Sequence, residues 1–249
     1  MTDFRPCILI PTYNNPATIR SVVERVRRHL ADVVVIDDCS ADEGKQAVEA
    51  LARDGLTHTH RRERNGGKGA AVKTGFEVAD RLGFTHALQV DADGQHALDD
   101  IPRFIEAARQ KPESLVLGAP VFDETVPKAR LKARQITIFW TNLETGGKVI
   151  EDPMCGFRVY PLKAALAAGA RGDRMDFDPE IAVRMVWDQV PVINLPTKVR
   201  YLSAEEGGVS HFKMFRDNAL ISWMHTRLVA TAMARWFLGL FGWRRRARA

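Results

Sequence analysis

The sequence predicts an α/β fold: a single Rossmann-like, mainly parallel sheet flanked by helices, with an amphipathic helix at its C-terminal end. Three observations predict it. Apolar runs alternate with segments of helical period from residue 7 to residue 117. Each run ends in polar residues, most abruptly where Ala87-Leu88-Gln89-Val90 gives way to Asp91-Ala92-Asp93-Gly94-Gln95-His96. No internal repeat or low-complexity linker breaks the pattern before about Gly208. Ligands of such sheets bind at the carboxyl ends of the strands, where these polar residues collect.

Cys7-Ile8-Leu9-Ile10-Pro11-Thr12-Tyr13 reads as a buried strand ended by Pro11, which has no N–H for a central ladder. Asn15 and Pro16 then suit the cap and first position of a helix whose apolar face is Ile19, Val22, Val23, Val26 and Leu30. Val33-Val34-Val35-Ile36 is a second strand, ending in Asp37 and Asp38, and residues 40–42 cap a helix over 43–53. Residues 57–60 form a weaker strand, the loop Asn65-Gly66-Gly67-Lys68-Gly69 follows, and a helix covers 70–82. The Asp91–Asp93 strand is next, then a helix from Leu98 to Arg109 and a strand at 114–117. Residues 119–134 carry two prolines, several charges and no period, so they are expected to form a long loop able to close over a ligand. Helical segments at 136–143, 161–168 and 177–187 and a last strand at 191–199 complete the domain, expected to span 1–212, with the helix and tail at 213–249.

At 249 residues and 45% hydrophobic the chain supports a substantial core. Cys7, Cys39 and Cys155 are odd in number and widely spaced, as expected of reduced cysteines in a cytosolic protein, and residues 1–5 lack a signal-peptide pattern. The net charge of +5 is unevenly placed: from His211 onward eight basic residues face Asp217 alone, +7, which leaves −2 for the rest. The excess lies in an apolar, Trp-rich tail, so an anionic membrane surface is expected as partner and nucleic acid is not.

Carboxylates at i and i+2 leave a strand on the same side, so Asp91 and Asp93 are placed to reach one divalent ion, although Asp and Gly also suit a simple solvated turn. The glycines around Lys68 suit an anion-facing loop or an ordinary one. They match neither the Walker phosphate loop nor the dinucleotide fingerprint.

Pro11-Thr12-Tyr13-Asn14, Val35-Ile36-Asp37-Asp38-Cys39-Ser40, Asn65-Gly66-Gly67-Lys68-Gly69, Asp91-Ala92-Asp93-Gly94-Gln95-His96 and Asp152-Pro153-Met154-Cys155-Gly156-Phe157-Arg158 resemble, in order and spacing, the family 2 glycosyltransferases of the GT-A fold. Within that family the chain looks most like polyprenyl-phosphate sugar synthases of the dolichol-phosphate mannose synthase type. The resemblance covers about residues 7–211. It implies a nucleotide-sugar donor, a lipid-linked or membrane-proximal acceptor, and inversion at the anomeric carbon. Pro11, Thr12 and Tyr13 would flank the base, Asp38 would contact the nucleoside, and Lys68 would lie near the base or diphosphate. Asp91 would face the ribose or metal, and Asp93 and Gln95 would hold Mg²⁺ or Mn²⁺ against the diphosphate. Asp152, Asp178 and Glu180 are the candidate base or acceptor partners, Asp152 first, with Asp178 also suited to capping a helix. Arg158, Arg200, Ser210 and His211 fall on the acceptor side, where histidine stands for the lysine that such enzymes usually carry after Gly-x-Ser.

Competing readings are a sugar nucleotidyltransferase, which would carry a Gly-rich, Arg-containing loop after the first strand, and a non-catalytic membrane scaffold. In the tail, Arg227 and Arg235 interrupt the apolar run from Phe215 to Trp243, so interfacial attachment at the inner face of the membrane is expected, with a core-packing or dimer helix as the alternative.

Overall fold

The computed structural model describes residues 4–122, 126, 128–199 and 213–240. Its centre is a seven-stranded sheet, β1 (Pro6–Thr12), β2 (Val33–Asp37), β3 (His58–Arg61), β4 (His86–Gln89), β5 (Leu115–Phe122), β6 (Arg158–Pro161) and β7 (Val192–Val199), in the order β3-β2-β1-β4-β6-β5-β7. Only β6 runs antiparallel to its neighbours, β4 and β5. On one face α1 (Ile19–Arg27), α2 (Asp42–Arg53) and α4 (Ile101–Gln110) bury Val22, Val26, Leu51 and Phe104. On the other, α3 (Lys68–Arg81), α6 (Leu162–Ala167), α7 (Phe177–Trp187) and α8 (Met214–Leu240) bury Phe76, Leu162, Ile181 and Met224. Coverage of both faces explains why the central strands read as continuous apolar runs, while β3, with all four residues exposed, does not.

β1 continues through Pro11 to Thr12. The carbonyl of Leu9 faces β4 and accepts from Val90, so alternation points Pro11 the same way, where β4 has already ended and no ladder bond is missed. Regular helix α1 starts at Ile19 and not at Pro16, because the Asn15 carboxamide turns back to accept from the Tyr13 N–H and the Thr12 hydroxyl. Nor does Ser40 cap α2: its hydroxyl accepts from the Asn14 N–H at 2.9 Å, tying the end of β1 to the end of β2.

The expected loop over 119–134 is instead strand and helix. β5 runs to Phe122, paired in parallel with β7 as far as Val199, and α5 (Lys128–Thr145) begins six residues later. The expected helix at 136–143 is the later part of α5, and its polarity is reversed. Thr137, Thr141 and Glu144 are buried against the body, while Ile136, Phe139, Trp140 and Leu143 are exposed by 60%, 62%, 36% and 54%. α8 lies beside α5 and the two share a buried polar seam, in which the His225 Nδ1 meets Glu144 Oε1 at 2.7 Å. Ile221, Met224 and Leu228 of α8 join the core beneath, whereas Trp223, Trp236 and Phe237 are exposed. Among the described residues no helix is long and apolar enough to cross a membrane.

Candidate active site

The strand order reverses between β1 and β4: β2 and β3 continue to one side, and β6, β5 and β7 to the other. The crevice at the carboxyl ends of the strands flanking such a switch point is where open α/β sheets bind ligands. A cleft of about 510 Å³ opens there. Pro11, Thr12 and Tyr13 reach it from β1, Asp38 from β2, Lys68 from the start of α3, Asp91, Asp93 and Gln95 from the turn after β4, and Asp178 from α7.

Asp38 is the post on which the Gly-rich loop is hung. Its carboxylate accepts from the N–H groups of Gly66 at 3.0 Å and Gly67 at 2.6 Å and pairs with Arg62, while Asn65 donates to its carbonyl. Gly67 sits at φ 101°, and a Cβ there would lie 2.6 Å from Cγ of Arg174 and 2.8 Å from the Asp173 carbonyl. Only glycine fits that backbone and that gap.

Lys68 projects from this loop between two acids. Its ammonium lies 2.8 Å from Asp91 Oδ1 and 3.0 Å from Asp178 Oδ2. Burial alone would lower its pKa, but Asp178 and Asp91 outweigh burial and hold it above the ordinary lysine range. Asp91 responds oppositely: burial works to raise it, and Lys68 and then His96 hold it below the usual carboxylate value. Gly156 makes this pair possible, since a Cβ there would stand 2.7 Å from Lys68 Nζ and 2.8 Å from Asp91 Oδ2. Among the described residues Asp93 accepts only from the Gln95 N–H, at 3.0 Å, and its pKa is pushed up by burial and by the charge of Asp91.

The remaining candidates lie elsewhere. Asp152 does not line the cleft: Oδ1 accepts from the N–H groups of Met154 and Cys155 at 2.8 and 2.9 Å, and Oδ2 meets Arg134 at 2.5 Å. Fully buried Glu180 accepts from the Gly172 N–H at 2.7 Å and pairs with Arg184 and, across to α8, Arg227; these bonds hold it below its usual pKa against the larger opposing effect of burial. Arg158 is also fully buried beneath the cleft, donating to the carbonyls of Cys155, Pro153 and Asp178. Arg200, Ser210 and His211 lie outside the described residues. Sequence reasoning missed Arg174, Lys213 and Arg216 in the lining, and gave no role to Asn65 and Met154, which stand in its motifs. Those cations stand in no motif, and only the tertiary fold brings them to the cleft.

The donor set suits a divalent cation shared with a ligand. Five carboxylates and four cations line the cleft, and Asp91 and Asp93 stand together on the turn after β4. No group of three or more His, Cys, Asp or Glu side chains forms a protein cage for a metal among the described residues. Magnesium-like ions need none, since one or two carboxylates plus phosphate oxygens complete the shell. The disfavoured charge of Asp93 is one that such an ion relieves.

A family model described as Glycosyl transferase family 2 matches residues 7–165. A UDP-N-acetylglucosamine–dolichyl-phosphate N-acetylglucosaminyltransferase from Methanococcus voltae is 25% identical over 221 residues, 81% of this chain and 88% of that protein. A polyprenol monophosphomannose synthase from Mycolicibacterium smegmatis is 36% identical over 107 residues, 41% of this chain and 40% of that protein. In fold, the chain resembles glucosyl-3-phosphoglycerate synthase from Mycobacterium tuberculosis, solved with Mn²⁺, uridine diphosphate and phosphoglyceric acid. The TM-score is 0.63 at 14% identity, over 94% of this chain and 78% of that one.

Proposed function

The chain belongs to glycosyl transferase family 2 and is a glycosyltransferase, and from that premise we propose that it moves a sugar from a nucleoside-diphosphate donor to a polyprenyl-phosphate acceptor at a membrane surface, with inversion and with Mg²⁺ or Mn²⁺. The observation that carries this reading is the convergence of Asp91, Asp93, Lys68 and Asp178 on one cleft beside Thr12, Tyr13 and Asp38. The dolichyl-phosphate and polyprenol names of the relatives support the acceptor class. Membership of the family sets aside the nucleotidyltransferase alternative.

Asp93, with Asp91 and Gln95, would hold the ion, which neutralises charge on the departing diphosphate. Thr12, Tyr13 and Asp38, which line the cleft, would take the nucleoside. Lys68, fixed by Asp91 and Asp178, presents a charged ammonium toward the diphosphate. In the displacement, an acceptor phosphate oxygen forms the new bond to the anomeric carbon. The bond to the leaving phosphate oxygen breaks and its electron pair departs with the nucleoside diphosphate. A phosphate acceptor is already anionic near neutral pH, so no strong base is required, and Asp178 serves to orient. We assign Glu180 and Arg158 to supporting that orientation. Asp152 acts through the 152–155 turn, which carries Met154 into the cleft wall. Asp152→Asn is expected to lower kcat for transfer by roughly 10-fold, with donor affinity close to wild type. Equal losses in both would place Asp152 on the donor side.

The outward apolar face of α5 and the exposed Trp223, Trp236 and Phe237 of α8 support a membrane surface as the site of action. The +7 segment supports an anionic one, at about 1 kcal/mol per basic side chain near the surface. The test of the whole reading is transfer of radiolabelled sugar from a panel of nucleotide sugars to undecaprenyl or dolichyl phosphate in anionic vesicles, with Mn²⁺ or with chelator. Metal-dependent label in the lipid phase is expected. Label released only to water, or no dependence on metal, would overturn it.

A further inference from the structure

Lys68 is committed to two carboxylates, and Arg216 places Nε 3.2 Å from Asp217. Arg174 differs. It lines the cleft half-buried, and its guanidinium has no hydrogen-bond or ion-pair partner among the described residues. Its position is nevertheless fixed. The segment before α7 is sewn to α3 by the Ala70 N–H donating to the Asp173 carbonyl at 2.9 Å, and by Lys73 reaching Asp173 at 2.7 Å. The Arg174 N–H donates to Asp176 Oδ1 at 3.1 Å. Its side-chain stem fills the space left by the missing Cβ of Gly67.

We propose that Arg174 is a donor-binding residue of the cleft, its guanidinium holding acceptor oxygens of the donor's nucleoside diphosphate; this rests on the glycosyltransferase reading above. An arginine offers five N–H donors in a planar fork and accepts nothing, which matches phosphate oxygens and base carbonyls. Location decides between the donor and a phosphorylated acceptor. The stem rests on Gly67, whose N–H is bonded to Asp38 at 2.6 Å, so Arg174 stands at the β2 end of the cleft with Asp38 and Asn65. Asp38 is occupied by the loop and Arg62, whereas the Arg174 guanidinium, whose stem rests on the same loop, keeps its N–H groups free among the described residues.

The test compares wild type with Arg174→Met, which keeps an unbranched stem over Gly67, and Arg174→Lys, which keeps the charge without the fork. Calorimetry with Mn²⁺ is run against UDP, GDP and, separately, farnesyl phosphate. Arg174→Met is expected to weaken the nucleoside diphosphate that wild type binds by roughly 10- to 100-fold, with Arg174→Lys intermediate and farnesyl phosphate unaffected. Unchanged nucleotide affinity, or a loss confined to farnesyl phosphate, overturns the assignment. A wild-type protein that binds neither nucleotide in Mn²⁺ overturns the metal-dependent UDP- or GDP-sugar donor on which the assignment rests, and Arg174 with it.

Discussion

Asp93→Ala should abolish Mn²⁺-supported nucleotide binding and lower kcat/KM for transfer by roughly 100- to 1,000-fold, while the metal-free protein stays at least as stable as wild type. The second half follows from the direction of its titration. Burial and Asp91 raise the Asp93 pKa in the folded protein, so the folded state binds a proton more readily than the unfolded one. Stability therefore falls as pH rises from the unfolded pKa through the folded one, and above both the whole penalty is present. Alanine removes that penalty. The same direction makes metal affinity of the wild type grow as pH rises through the Asp93 titration, because the ion competes with a proton. Thermal unfolding at pH 7 distinguishes these effects. Wild type should gain Tm when Mn²⁺ and UDP or GDP are added, whereas the variant should start equal or higher and gain little. A variant with the full wild-type gain would remove Asp93 from the metal site.

What was legible in the sequence was the sheet and the acids at its rim. β1, β2 and β4 are buried on both faces, so their apolar runs are continuous, and each stops where the chain leaves the core for the cleft. Pro11, Thr12, Asp38, Asp91 and Asp93 were legible as residues of the cleft because they occupy or follow those stops. Helix starts were less legible, because Asn14, Asn15 and Ser40 are cap-like residues whose side chains bond across loops: the Ala41 N–H, for example, donates to Asn14 Oδ1 at 2.7 Å. The second half of β5 carries two prolines' worth of loop signal in its neighbourhood, yet its pairing with β7 overrides it. α5 was legible only at 136–143; its earlier part, rich in Lys and Arg and close to two prolines, reads as loop, and Thr137, Thr141 and Glu144 show that it turns polar residues inward where periodicity expects apolar ones. Asp152, Arg158 and Glu180 were legible as polar residues of interest, but burial and saturation by internal partners are properties of the folded state alone.

Arg158→Met is expected to lower the unfolding free energy by about 3–5 kcal/mol, the largest loss of stability among these substitutions. Buried charges often gain little over well-packed apolar residues, and methionine approaches arginine in length. Here, however, the partners are three main-chain carbonyls, those of Pro153, Cys155 and Asp178, reached at 2.5, 2.5 and 2.6 Å. They remain in the interior when the guanidinium is gone. Burial opposes the arginine's charge, but Tyr160 and Asp178 outweigh it and keep its pKa above the ordinary value, so the charge persists at all working pH. The same three bonds tie the 152–155 turn to the first turn of α7, which carries Asp178 into the cleft. Loss of stability and loss of transfer should therefore appear together. For a chain of 249 residues the expected fall in Tm is roughly 6–20 °C, and Arg158→Lys should recover only part of it, because one ammonium cannot span three carbonyls in the plane that the guanidinium occupies. Thermal unfolding of the three proteins is the measurement. An Arg158→Met variant within about 2 °C of wild type would mean that the carbonyls find other donors and that Arg158 is not the clamp described.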